Sequence, residues 1–178
     1  MIPLSDYATV SEEATLAEAI TALKASRQAS DLNHKHRAVL ALDTAGKVTG
    51  KLSIRDILKA LEPKYRKFEN TQGAGSIGLS RFGFSTEFLS SHVDQLALWD
   101  ESMEELVKKA AGKRVKEIMY APAKEEYVTR DAPMAEAVHQ FILGAHQSLL
   151  VLDGEAVAGV LRLSDVFDLV CDLIGRIE

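Results

Sequence analysis

Apolar residues recur along the chain with two alternating periods. Leu16, Ala19, Ile20 and Leu23 fall at i, i+3, i+4 and i+7, the spacing of one face of a helix. Met134, Ala137, Val138 and Phe141 repeat that spacing far downstream. A short β-type pair precedes each stretch, Thr9 with Val10 and Tyr127 with Val128. Thr15 opens the first helix and Pro133 the second; proline suits the first helical turn, where its missing N–H has no partner to lose. A continuous apolar run then follows, residues 39–42 or 149–152, of the length of a buried strand. Turn residues come next, Asp43 to Gly46 in one place and Asp153-Gly154 in the other. A returning strand follows over 48–52 or 157–161. The last element is a helix carrying Ile57, Leu58 and Leu61, or Val166, Val170 and Ile174. The order β-α-β-β-α thus occurs twice.

The two passages also match letter by letter. VSEEATLAEA (10–19) aligns with VTRDAPMAEA (128–137), with five of ten positions identical. AVLALD (38–43) aligns with SLLVLD (148–153), and GKLSIRDIL (50–58) with GVLRLSDVF (159–167). The offset between the copies shifts from 118 to 110 to 109 residues. Order is therefore kept, with extra residues in the first copy around 26–36 and in its turn. A unit of about 50–60 residues buries little surface alone. Two copies packed sheet to sheet solve that, which predicts an α+β fold (an α/β sandwich) with a pseudo-twofold axis. The predicted organisation is a first repeat over 1–62, an insertion over 63–113 and a second repeat over 114–178.

The first part of the insertion, 63–85, is rich in Gly and Ser without a period and reads as loop. Its second part reads as helix. Ser102 and Glu105 form a capping box, Met103, Leu106, Val107 and Ala110 a stripe, and Gly112 a stop. Val93, Leu96, Ala97 and Trp99 suggest an earlier helical piece. A connection this long tends to be functional or interfacial.

These repeats resemble a tandem pair of CBS domains, the Bateman module. The resemblance rests on the three matched blocks together with His36-Arg37 and Gln147 ahead of the core strands, and it covers about 2–62 and 114–174. It implies a non-catalytic regulatory module that binds an adenine nucleotide (AMP, ADP or ATP) or an S-adenosyl compound. It also implies a homodimer, and no required cofactor. In the family, G-x-x-[Ser/Thr]-x-x-Asp holds ribose and phosphate. Gly50 to Asp56, with Ser53 at the hydroxyl position, fits that motif. Gly159 to Asp165 departs from it, because Arg162 replaces the hydroxyl. Adenine recognition by backbone falls on Val10, Ser11, Arg37 and Ala38 in one copy, and on Val128, Thr129, Gln147 and Ser148 in the other. His36, Arg37, Arg55, His146 and Arg162 are the phosphate partners the resemblance suggests.

The chemistry of the two aspartates can be argued without the family. A ribose presents two vicinal hydroxyls, and a carboxylate at a helix start can accept from both. Asp56 and Asp165 stand where a strand ends and a helix begins. The competing reading is plain N-capping. Arg162 has a role of its own open to it, since a planar guanidinium matches phosphate oxygens.

Charge and composition narrow the classes. The 178 residues carry 21 Lys and Arg against 26 Asp and Glu, a net charge of −5. Nucleic-acid polymers, which need a basic face, are disfavoured. A small anion held by local cations is not. One cysteine, Cys171, precludes an internal disulfide and fits a reducing compartment; among Val170, Leu173 and Ile174 it reads as a packed thiol. No apolar run reaches the length of a membrane span, and the first residues lack a signal-peptide pattern. The expected setting is the cytoplasm. GAGSIG (73–78) lacks the strand and helix a dinucleotide loop needs. His34 and His36 lack carboxylates at metal-ligand spacing, so no metal site is expected. No catalytic constellation is visible, so an enzyme is not expected. The alternative to a sensor is a ligand-free scaffold acting through the insertion helix, and an effector protein is a further expected partner.

Overall fold

The computed structural model describes residues 1–29, 36–62, 64 and 100–177. The elements in order are β1 (Ile2–Pro3), β2 (Thr9–Ser11), α1 (Leu16–Ala29), β3 (Ala38–Leu42), β4 (Val48–Ser53) and α2 (Ile54–Leu61). They continue with α3 (Met103–Ala111), α4 (Val115–Ile118), β5 (Tyr127–Thr129), α5 (Met134–Gly144), β6 (Ser148–Asp153), β7 (Ala156–Arg162) and α6 (Leu163–Ile174). The predicted β-α-β-β-α order is present in both repeats. GAGSIG, His34 and the stretch holding Val93 to Trp99 lie outside the described residues.

Local chemistry explains the element boundaries. Thr15 Oγ1 accepts from Glu18 N, and Glu18 Oε2 accepts from Thr15 N, a reciprocal cap that starts α1. Pro133 sits one residue before α5, in extended backbone, rather than in its first turn. The turn between β3 and β4 is held by Asp43 Oδ1, which accepts from Ala45 N and Lys47 N at 2.9 Å each. Gly46 there has φ +79°, conformational space that favours glycine.

Two sheets result. In one, β2 runs parallel to β3 and β3 antiparallel to β4; in the other the order is β1-β7-β6-β5. Each repeat lends its leading segment to the other's sheet. Ile2 and Pro3 pair with Val160 and Gly159. Reciprocally, Lys51 N donates to Tyr120 O (2.8 Å) and Tyr120 N to Lys51 O (2.9 Å). The segments cross closely at two glycines: a Cβ on Gly159 would run into the Ile2 carbonyl oxygen, a backbone atom, and one on Gly50 into the movable Met119 side chain.

The core has three parts. Leu16, Ala19, Leu23, Val39 and Leu52 form the first repeat's, and Ala137, Phe141, Leu149 and Leu161 the second's. Tyr7, Leu40, Val48, Leu150 and Val160 lie between the sheets and join the halves. Full burial of one such leucine or valine contributes about 1.5–3 kcal/mol.

Several expected core positions face outward instead. Ile20, Leu58, Met134, Val170 and Ile174 are exposed, and Cys171 is an exposed thiol, not a packed one. The reason is shared: helices α1, α2, α5 and α6 each meet a sheet on one side only, so the flank of a wide apolar stripe stays outside. The insertion's helix α3 has the predicted Ser102–Glu105 cap. Its stripe is split: Leu106 and Ala110 enter the first repeat's core, while Met103 and Val107 stay exposed.

Candidate functional site

The two repeats build the same corner where β4 or β7 gives way to a helix. Ile54 N donates to Arg37 O at 2.9 Å, and Leu163 N donates to Gln147 O at 3.1 Å. This ties the start of each second helix to the residue just before each core strand. Arg37, Ala38, Ser53, Arg55 and Asp56 are thereby collected at one corner, and Gln147, Ser148, Arg162 and Asp165 at the other. Ala38 pairs with Ser53, and Ser148 with Arg162.

The corners differ in what holds the aspartate. Asp56 Oδ2 accepts from Ser53 N (2.9 Å) and from Ser53 Oγ (2.6 Å), and Ser53 Oγ accepts from Asp56 N (3.2 Å). The capping box is complete. Asp56 Oδ1 accepts no hydrogen bond among the described residues. In the second copy Asp165 Oδ2 accepts from Arg162 N at 3.0 Å. Asp165 Oδ1 accepts from Arg162 Nε at 2.8 Å and from Arg162 Nη2 as well. Burial pushes the Asp165 carboxyl up, but the Arg162 hydrogen bonds and charge outweigh it and hold the group below its ordinary value.

The second corner faces side chains of the first repeat. Tyr7, from the first repeat's leading segment, packs edge-on against His36, with ring centroids 4.5 Å apart at 86°. Burial pushes the Tyr7 phenol up to about 12, with Arg162 pulling it down and Asp165 pushing it up further. Tyr7 thus touches His36 and feels the charges of Arg162 and Asp165 in the other repeat. On the opposite side, Lys51 Nζ donates to Glu126 Oε2 (3.0 Å) and to Ser148 Oγ (3.3 Å). His146 Nδ1 lies 4.0 Å from the same carboxylate oxygen. Burial pushes Glu126 up; hydrogen bonds from Tyr120 and Lys51 bring it below the usual range. The hydrogen bond to Glu126, then burial, pushes Tyr120 up to about 12.

Val10 and Ser11 stand apart from this grouping. They pair with Ala41 and Leu42, at the far end of β3 from Ala38. Val128 and Thr129 likewise pair with Val151 and Leu152, away from Ser148. The separation is three or more residues of strand, about 10 Å.

Tyr7, Lys51, Tyr120 and Glu126 were not singled out by sequence reasoning. Lys51 carried a signal: it stands where the other copy has Val160, a buried residue between the sheets. A charge in one copy against an apolar residue in the other marks an asymmetric contact. Tyr7, Tyr120 and Glu126 lie outside the matched blocks and carried none. Among the described residues no cluster of three or more His, Cys, Asp or Glu could hold a metal ion. No described helix is long and apolar enough to cross a membrane.

A family model described as "CBS domain" matches residues 1–63 and 115–172. Among solved structures, CBSX2 in complex with AMP is similar at a TM-score of 0.59 and 14% identity, over 97% of this chain and 93% of that one. The CBS-domain containing protein ATU1752 from Agrobacterium tumefaciens gives 0.54 and 18%, over 91% and 82%. The cytosolic domain of the Mg2+ channel MgtE in complex with ATP gives 0.54 and 19%, over 92% of this chain; the chain spans 45% of that structure's length. No curated protein matches the chain in sequence.

Proposed function

The chain belongs to the CBS-domain family as a tandem pair, and from that premise we propose that it is a non-catalytic regulatory module. It senses an adenine nucleotide (AMP, ADP or ATP) or an S-adenosyl compound in the clefts between its repeats. The observation that carries this is the duplicated corner. In each copy an aspartate sits in the first turn of a helix whose start is tied to the residue before a core strand, and at the second corner Lys51 of the other repeat reaches Ser148. The helix N-terminus favours an anion, and the exposed Arg37 and Arg55 add positive charge at the Asp56 corner. Relatives of the same fold solved with AMP and with ATP support the ligand class.

A ligand that touches both repeats favours one arrangement of them, and the response is a population shift. The outward row Leu163, Phe167, Val170 and Ile174 on α6 supports a homodimer as the form that passes the signal on. An effector protein and a cytoplasmic setting go with this reading. The insertion over 63–113 belongs to the signalling part of the proposal, with α3 anchored in the first repeat's core.

The test is calorimetric titration of the purified protein with AMP, ADP, ATP and S-adenosylmethionine. Saturable binding of any one supports a sensor. Absence of binding to all four at millimolar concentration removes the reading.

A further inference from the structure

We propose that Arg162 makes the two clefts unequal, by occupying in the second copy the carboxylate that the first copy leaves open to a ribose. The inference rests on the nucleotide reading above and concerns what each cleft accepts.

The two corners share backbone and differ at one side chain. Ser53 satisfies Asp56 through Oδ2 alone and leaves Oδ1 without a donor among the described residues. Arg162 engages both oxygens of Asp165, its backbone N–H on Oδ2 and its guanidinium on Oδ1 through two nitrogens. Both side chains of that pair are only 14% exposed, so water screens the contact weakly. Both guanidinium nitrogens land on the one oxygen, and such charge-assisted hydrogen bonds are about twice as strong as neutral ones. Two neutral hydroxyls cannot displace the guanidinium at equal strength. A phosphate can, because it offers the planar guanidinium a pair of anionic oxygens in place of the carboxylate.

The second cleft is therefore selective for phosphorylated ligands, and the first accepts the nucleoside itself. Arg162 sets this specificity through Asp165.

The experiment is titration with adenosine and with AMP, monitored by calorimetry. The wild-type protein is expected to bind one adenosine per chain and to show a second event only with AMP. Arg162→Ser recreates the Ser53 cap, so its helix start is preserved. It is expected to bind two adenosines, with affinity at the second cleft raised on the order of tenfold to a hundredfold. Arg162→Gln is the second variant and should do the same if the serine form is unstable. Two equivalent adenosine sites in the wild type, or a single adenosine site in both variants, overturns the proposal. Failure of every form to bind AMP or adenosine has a different meaning: it removes the nucleotide reading, and this inference with it.

Discussion

Lys51 Nζ lies 3.0 Å from Glu126 Oε2, and the pair crosses the junction between the two repeats. At the equivalent place in the other copy stands Val160, which pairs with Ile2 and packs between the sheets. One junction is thus apolar and the other ionic. Glu126 is 3% exposed and Lys51 15%. Ser148 and Tyr120 supply further hydrogen bonds to the pair, so the buried charges are compensated.

Removing one partner of a buried pair costs more than replacing both. Lys51→Met is expected to destabilise the protein by roughly 2–4 kcal/mol, since Glu126 keeps its charge without its main partner. Lys51→Met combined with Glu126→Leu is expected to recover most of that loss. Urea denaturation of the two single variants and the double variant measures the coupling; additive effects would refute it.

The titration behaviour gives stability a defined pH window. Glu126 and Asp165 both titrate below their ordinary values, 4.5 and 3.8. Groups depressed on folding stabilise above the unfolded value, and that contribution is lost as pH falls through the folded one. Acid unfolding is therefore expected to steepen below about pH 4.5, and Glu126→Gln should flatten it. At the alkaline end the sign reverses. Tyr7 is raised to about 12 by burial, so its contribution holds below pH 10 and is lost as pH climbs toward 12. That amounts to roughly 3 kcal/mol, and Tyr7→Phe should remove this part of the alkaline loss.

How far the sequence reached is seen in particular residues. Both strand pairs, the Ser102–Glu105 cap and the duplicated helix starts were legible, because each depends on neighbours a few positions away. The exposure of Val170 and Ile174 was not, because a period marks an apolar face without saying whether a sheet covers all of it. The Lys51–Glu126 pair was not legible either: 75 positions part them in the chain, and only the crossing of each repeat's leading segment onto the other's sheet brings them together. The same crossing explains Gly50 and Gly159. Sequence reading assigned them to a ligand motif, and the structure shows each lying under a segment from the other repeat.

The two glycines should respond differently to substitution. A Cβ on Gly159 would sit 2.3 Å from a backbone oxygen of Ile2. The strand must move, and Gly159→Ala is expected to cost about 1–3 kcal/mol by overpacking. A Cβ on Gly50 would meet the Met119 side chain, which can change rotamer. Gly50→Ala should cost less, and Met119→Ala should relieve part of it. Denaturation midpoints of the four proteins check the order; equal losses at both glycines would contradict the crossing geometry.

Asp56 serves as a cap in the structure and as a ribose acceptor in the proposal, and the two roles can be separated. Asp56→Ala removes both and is expected to lower stability through loss of the N3 half of the capping box. Asp56→Asn keeps an oxygen that can accept from Ser53 N, so its stability should fall less. It removes the charge, however, so adenosine or AMP binding at that corner should weaken on the order of tenfold. Ser53→Ala gives the complementary case: the cap weakens while the carboxylate remains. Calorimetric titration beside urea denaturation of the three variants distinguishes the roles. If affinity follows stability across the series, Asp56 acts only as a cap. If Asp56→Asn loses affinity while remaining as stable as Ser53→Ala or more so, the carboxylate itself contacts the ligand.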